Sequence, residues 1–101
     1  MASARSGRVL TEVRALVDPS RHEALVAGFE ALLAASPPEG LLRTELLHVD
    51  DEWRIQTLWR DREALVAMRS RTDEPAAPKL FRSVGAHPEL TIMEVRASTQ
   101  A

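Results

Sequence analysis

The chain lacks three residue types that often carry chemistry, because its 101 residues include no cysteine, no tyrosine and no asparagine. The absence of cysteine excludes disulfides, thiolate catalysis and cysteine-ligated metals. It agrees with a reducing compartment, and we expect a cytoplasmic protein. The aromatic side chains are two tryptophans and two phenylalanines, so the core must consist mostly of leucine, valine and alanine.

Strong charge bias and long hydrophobic runs are also absent. The 13 basic and 15 acidic residues give a net charge of −2, and their even spread leaves no basic stripe for a phosphate backbone. No apolar run approaches the length of a membrane span. The opening "MASARSGRV" lacks the apolar segment of a secretory signal. We therefore expect no nucleic acid and no membrane as partner.

What the chain does contain is a globular mixture, with 45% hydrophobic and 28% charged residues, which is typical of a folded domain. Its length suits one domain over 1–101, with an ordered core at about 8–97. Alternating apolar residues predict strands at 8–17, 41–49, 52–60 and 89–97. The tight connection at Asp50 and Asp51 joins the second and third strands into a hairpin.

Helical patterns separate these strands. Asp18 and Pro19 can open a first helix, whose stripe is Leu25, Phe29, Leu32 and Leu33, and "SPPEG" at 36–40 ends it. Asp61 can cap a second helix, "REALVAMRSR". The prolines of "TDEPAAP" at 72–78 predict a loop, and "KLFRSVG" at 79–85 predicts a short third helix.

The order β-α-β-β-α-β predicts a ferredoxin-like α+β fold, with a four-stranded antiparallel sheet and helices on one face. On the third strand we expect one set of residues to face the helices, namely Trp53, Ile55, Thr57 and Trp59, and the other set to face a partner or solvent, namely Arg54, Gln56, Leu58 and Arg60. The uncovered sheet face would then carry Leu10, Leu16, Leu41, Leu47 and Leu58. An apolar patch of this kind predicts a homodimer through the sheet face.

The densest set of motifs runs from Gly40 to Met68: the glycine itself, "LLRTELL", the acidic turn at 50–51, Trp59, Asp61 and "EAL" at 63–65. In this order they resemble the antibiotic biosynthesis monooxygenase (ABM) superfamily of dimeric α+β barrels, and the resemblance extends over about 8–95. It implies a dimer and, in the oxygenase members, cofactor-independent oxidation of polyketide phenols.

The resemblance does not extend to the haem-degrading branch of that superfamily. That branch has an asparagine on the first strand, a tryptophan at the end of the third and a histidine on the second helix. Trp59 matches the tryptophan, but the histidine position falls at Met68 or Arg69, and haem iron needs an axial donor. We therefore expect no cofactor and no metal.

Trp59 is the first candidate site residue, either as the wall of a pocket that stacks on a planar substrate or as a plain core aromatic. Phe29, Leu65 and Met68 would complete the substrate-binding wall. His48 is a candidate general base if its strand face meets the helices. His22, in the first helical turn, is expected to be solvated.

Charged residues on the mixed strand faces allow two interpretations. Arg14 is a catalytic candidate if it forms a substrate clamp with a glutamate. The alternative is a polar network at the dimer interface, built from Glu12, Arg14, Arg43, Glu45, Arg54 and Gln56.

The sequence leaves two functions open. The first is a cofactor-independent monooxygenase acting on a small aromatic or polyketide-like substrate. The second is a non-catalytic dimeric protein of the same fold that binds a small ligand or acts as an accessory protein. A pocket filled by Trp59, Phe29 and Met68 would exclude both and leave a structural dimer.

Overall fold

The computed structural model describes residues 7–99. The strands are β1 (Val9–Leu16), β2 (Leu41–Val49), β3 (Glu52–Trp59) and β4 (Glu89–Glu94), and the helices are α1 (His22–Ala34), α2 (Arg62–Ser70) and α3 (Ala76–Ser83). The four strands form one antiparallel sheet in the order β2-β3-β1-β4. The predicted α+β fold is therefore confirmed.

The two faces of β3 are as predicted from its alternation. Trp53, Ile55, Thr57 and Trp59 are buried, whereas the intervening residues are half-buried. The partner strand β1 follows the same alternation, so that its odd-numbered residues face the helices. Burial of the odd set fixes the register of the sheet, because a slip of one residue would expose both tryptophans.

The prediction of a loop over 72–78 is wrong for its last residues, because α3 begins at Ala76. Pro75 is the N-cap, and Pro78 lies in the first turn. The first N–H groups of a helix have no intrahelical acceptor, so proline costs little there. The helix therefore starts inside a proline-rich stretch that would break it further along.

A register shift in β2 corrects a second expectation. Leu41 pairs with Trp59 and Arg43 pairs with Leu58, so that Leu42 is the extra residue of a bulge. Leu41 consequently packs beside Trp59 on the helix side and not on the uncovered face, where simple alternation put it. Leu42 is 52% exposed.

The interior consists of two apolar clusters. The larger joins β1 and β3 to α1 and α3 around Leu25 and Phe81, both fully buried. The smaller contains Val9, Trp59, Ala64 and Leu65, with Leu41 and Met68 packed against it. α2 thus contributes its buried residues to the smaller cluster.

The uncovered face of the sheet is amphipathic. Arg54 bonds to Glu12 at 3.2 Å and to Glu52 at 3.3 Å, and Arg14 contacts Glu89 at 3.1 Å. Leu16 is 74% exposed beside them. The charged residues therefore form a paired network across β1, β3 and β4, and its place in a dimer interface stays a prediction.

Among the described residues, no helix is long and apolar enough to cross a membrane.

Candidate functional site

A cavity of about 1040 Å³ lies between the sheet and the helices. Its apolar walls come from Phe29 and Leu32 of α1 and from Leu65 and Met68 of α2. Leu32 and Leu33, at the end of the α1 stripe, are more than a third exposed, because they face this cavity and not the packed core. The cavity is therefore large enough for a polycyclic ligand.

The floor of the cavity is a row of threonines from three adjacent strands. Thr11 is in register with Thr57, and Thr57 is in register with Thr44. The hydroxyls of Thr44 and Thr57 are 2.9 Å apart, and Thr11 Oγ1 lies 3.4 Å from the carbonyl oxygen of Thr57. All three line the cavity, and the row runs between the two apolar clusters.

Trp59 closes one end of this floor. The residue is 3% exposed, and its indole Nε1–H donates to Oγ1 of Thr11 at 3.2 Å. The hydrogen bond satisfies the polar edge of the ring, so that the apolar surface of the ring can border the cavity. The donor of Trp59 is consequently already in use.

Ionisable side chains lie at the edge of the cavity. Arg43, Arg69, Asp73 and Arg82 are exposed, and Glu74 is half-buried. Arg82 contacts Glu74 in an ion pair that joins α3 to the segment before it. The floor is therefore neutral, and the charges are placed where solvent screens them.

α2 is held beside the cavity by its N-cap. The carboxylate of Asp61 accepts a hydrogen bond from the backbone N–H of Ala64 at 2.8 Å. This bond is the main cause that holds the pKa of Asp61 below its ordinary value. The predicted cap is confirmed, and it fixes the helix whose Leu65 and Met68 form a wall.

The cavity brings together one part of the predicted site. Trp59, Phe29, Leu65 and Met68 all line it, and their binding of a ligand remains a prediction. Arg14 lies on the opposite face of the sheet, bonded through Nε to Glu89 at 3.1 Å. A role for Arg14 in chemistry inside the cavity therefore has no geometric basis in the monomer.

His48 does face the helix side, but at the far end of the sheet. Its ring stacks on Trp53 with centroids 4.2 Å apart and planes at 12°. His22 contacts the same indole edge-on at 5.0 Å. His22 is half-buried, with Nε2 donating to the carbonyl of Val17 at 2.9 Å, and so it is not the solvated residue expected. Neither histidine lines the cavity.

The threonine row was not singled out from the sequence as a site. The available signal was one threonine on the apolar face of each of three strands. Their alignment depends on how the three strands pair with one another, which the pattern of a single strand does not reveal. Among the described residues, no group of three or more His, Asp or Glu is placed to hold a metal ion.

Comparison with known proteins gives matches at the level of structure. No family model and no curated protein matches the sequence. SnoaB, a cofactor-independent oxygenase from Streptomyces nogalater, superposes with a TM-score of 0.63 over 94% of this chain and 99% of its own, at 20% identity. The chain has the fold of the antibiotic biosynthesis monooxygenases.

Two further structures support the same fold. A protein from Deinococcus radiodurans, described as a candidate antibiotic biosynthesis monooxygenase, has a TM-score of 0.71 at 11% identity, with coverage of 92% of this chain and 97% of its own. The NE2512 protein of unknown function from Nitrosomonas europaea has a TM-score of 0.72 at 16% identity and covers 96% and 97%. At such identities the likeness is one of ABM-like fold and not of activity.

Proposed function

We propose that the protein is a cofactor-independent monooxygenase of the ABM type that acts on a small aromatic or polyketide-like substrate. The observation that carries the proposal is the cavity between sheet and helices, with apolar walls, a threonine floor and Trp59 at one end. A flat apolar ligand fits such walls, and a few polar groups can orient it. The fold shared with SnoaB, a cofactor-independent oxygenase, supports the reaction type that we propose.

The reaction proposed for an anthrone-type substrate balances without a cofactor. The ring methylene loses two hydrogens and becomes a carbonyl. One oxygen atom of O2 forms that carbonyl, and the other leaves as water with the two hydrogens. The substrate supplies all the electrons that reduce O2. The contribution of the protein is to hold the electron-rich ring in a water-poor space and to bind its oxygen.

Oxygen uptake with anthrone tests the proposal. Met68 lines the cavity, whereas Val66 of the same helix is 58% exposed and does not. We expect Met68→Ala to lower kcat/KM for anthrone and Val66→Ala to leave it unchanged. Oxygen uptake no faster than anthrone autoxidation in buffer would reject the enzymatic proposal.

One observation favours a non-catalytic ligand-binding protein as the second candidate. Among the described residues that line the cavity, the ionisable side chains lie at its edge. The polar groups of the floor are threonine hydroxyls and the indole of Trp59. Removal of a proton from a buried substrate then has no side-chain base at the floor to assist it. Binding of anthraquinone without oxygen uptake from anthrone would select this candidate.

We further propose a homodimer through the uncovered sheet face. Exposed apolar residues such as Leu16 and Leu47 lie there beside the charged network around Glu12. Charges that are already paired can be buried at less cost than free ones, and the leucines gain from burial. We propose that this dimer works in the cytoplasm, in keeping with a chain free of cysteine.

A further inference from the structure

We propose that the Thr44–Thr57 hydroxyl pair is a subsite for one uncharged oxygen atom of the ligand, and that it accepts this oxygen either as a hydroxyl or as a carbonyl. The inference rests on the proposed function to the extent that it places the ligand in the same cavity. It goes further because it names the two residues that bind the ligand oxygen and requires that this oxygen is uncharged.

The hydrogen-bond inventory of the floor identifies the pair. The indole N–H of Trp59 is used by Thr11, and the hydroxyl hydrogen of Thr11 points to the carbonyl of Thr57. One of the two hydroxyls of Thr44 and Thr57 donates its hydrogen to the other. A second hydroxyl hydrogen is left without an acceptor among the described residues. The pair therefore offers one donor, together with oxygen lone pairs, to the cavity.

The pair can present either polarity to a ligand. A hydroxyl hydrogen rotates, so Thr44 can donate to Thr57 or accept from it. A ligand carbonyl would take the free hydrogen, whereas a phenol could donate to a lone pair and accept that hydrogen as well. The same two side chains thus suit both a hydroxylated substrate and its oxidised carbonyl product.

The surroundings restrict the ligand oxygen to an uncharged form. Thr57 is 7% exposed, and the walls on both sides are apolar. The arginines of the lining are exposed at its edge. An anion bound to the pair would be desolvated and would receive a single hydrogen bond from it, which is unfavourable when no buried cation compensates its charge.

Equilibrium dialysis with matched naphthalene probes tests the subsite. The probes are naphthalene, with no oxygen, 1-naphthol, with a hydroxyl, 1,4-naphthoquinone, with carbonyls, and 1-naphthoate, with a negative charge. The quinone is usable because the chain has no thiol to react with it. For the parent chain we expect naphthol and quinone to bind about three- to tenfold tighter than naphthalene, as one hydrogen bond predicts, and naphthoate to bind weakest.

The variants separate the hydroxyl from the packing. Thr44→Val keeps the shape and the strand propensity and leaves Thr57 with one free hydroxyl hydrogen, so it should keep part of the preference for naphthol and quinone over naphthalene. Thr57→Val should do the same, and only the double variant, which has no hydroxyl in the pair, should abolish the preference. Thr44→Ser, which keeps the hydroxyl, should retain the preference. Thr91→Val, on the exposed edge strand, is the control and should change nothing.

Several results would overturn the subsite. They are equal binding of naphthalene and naphthol to the parent chain, no binding of either, or a preference that persists in the double valine variant. Oxygen uptake from anthrone is measured on the same proteins, so the two proposals can fail separately. No oxygen uptake by the parent chain with the expected probe pattern removes the enzyme and keeps the subsite, whereas normal uptake with an undiminished preference in the double valine variant removes the subsite alone.

Discussion

The indole nitrogen of Trp59 and the hydroxyl oxygen of Thr11 are 3.2 Å apart, in a buried hydrogen bond between β3 and β1. The bond ties the smaller apolar cluster to the polar floor of the cavity. It places an aromatic ring beside that floor without leaving a free donor on it. The stability of the cavity end therefore depends on a pair of residues that are 48 positions apart in sequence.

Thr11→Val tests this pair. The variant leaves the buried indole N–H without its acceptor, and we expect it to lower the free energy of unfolding by about 1–3 kcal/mol. In a Trp59→Phe background, where that N–H is absent, the same change should cost clearly less. Urea denaturation of the four proteins gives the coupling energy. Equal costs in both backgrounds would mean that the hydrogen bond is not formed.

Trp59→Ala measures how completely the ring is packed. Trp59 is 3% exposed, and deletion of a buried aromatic side chain typically costs about 3–5 kcal/mol. We expect a loss in this range by urea denaturation. A loss of a few tenths of a kcal/mol would contradict the burial of the ring, since it is the cost expected of a surface residue.

Gly40→Ala tests the junction of the α1–β2 loop with α2. Gly40 has φ +87°, and an added Cβ would lie 2.3 Å from Cβ of Ala64. Gly85 has a similar φ of +79° with open space around it. Gly85→Ala should therefore cost about 1–2 kcal/mol from its left-handed conformation alone, and Gly40→Ala should cost distinctly more. Equal thermal midpoints for the two variants would mean that Ala64 of α2 lies farther from Gly40 than in the structure described above.

Acid should weaken the fold partly through Glu12. Its pKa lies below its ordinary value of 4.5, mainly because the amide of Gln56 donates to it, with Arg54 adding to the effect and burial opposing it. A carboxylate with a lowered folded-state pKa stabilises the fold above its unfolded pKa, and this stabilisation is lost as pH falls through the folded value.

The ordinary pKa of this residue is 4.5. We therefore expect the free energy of unfolding to decrease as the pH is lowered below about this value, and we expect the decrease to be smaller in Glu12→Gln. Glu30→Gln, on the exposed side of α1, is the matched control. Urea denaturation from pH 7 to pH 3 measures both. Identical pH profiles for Glu12→Gln and the parent chain would show that Glu12 is not stabilised in its charged form.

If the uncovered sheet face forms a homodimer, a charged substitution on that face should halve the mass of the particle in solution. Leu58 and Leu10 are direct cross-strand neighbours there, and an obligate interface would bury roughly 2,000 Å² or more. Leu58→Glu should give a monomer in sedimentation velocity at micromolar concentration. Val66→Glu, on the outer side of α2, should remain dimeric. A monomeric parent chain would reject the dimer.

Alternation was sufficient to predict most of the sheet from the sequence. The second strand was placed at its observed limits, and the inward face of β3 was identified, because a strand with one buried face constrains every second residue. The same rule failed at Leu41. A bulge adds one residue, and no local residue preference marks where the extra one will be.

The site was harder to predict than the fold, for a physical reason. Phe29, Leu65 and Met68 could be named because helical spacing and chain reversal bring them towards Trp59. The threonine floor could not, since it depends on the register of three strands at once. The stacking of His48 on Trp53 also escaped prediction, because a histidine near a turn has no sequence pattern that separates stacking from solvation.

The division of the interior into two apolar clusters has a consequence for motion. α2 places Ala64 and Leu65 only in the smaller cluster, whereas α1 and α3 share the larger one around Phe81. Regions with separate cores can open with separate free energies. Detachment of α2 would uncover the threonine floor while the Phe81 cluster stays folded, so that a bulky ligand could enter by local unfolding of one short helix. Amide hydrogens of α2 would then exchange with solvent faster than those of α1.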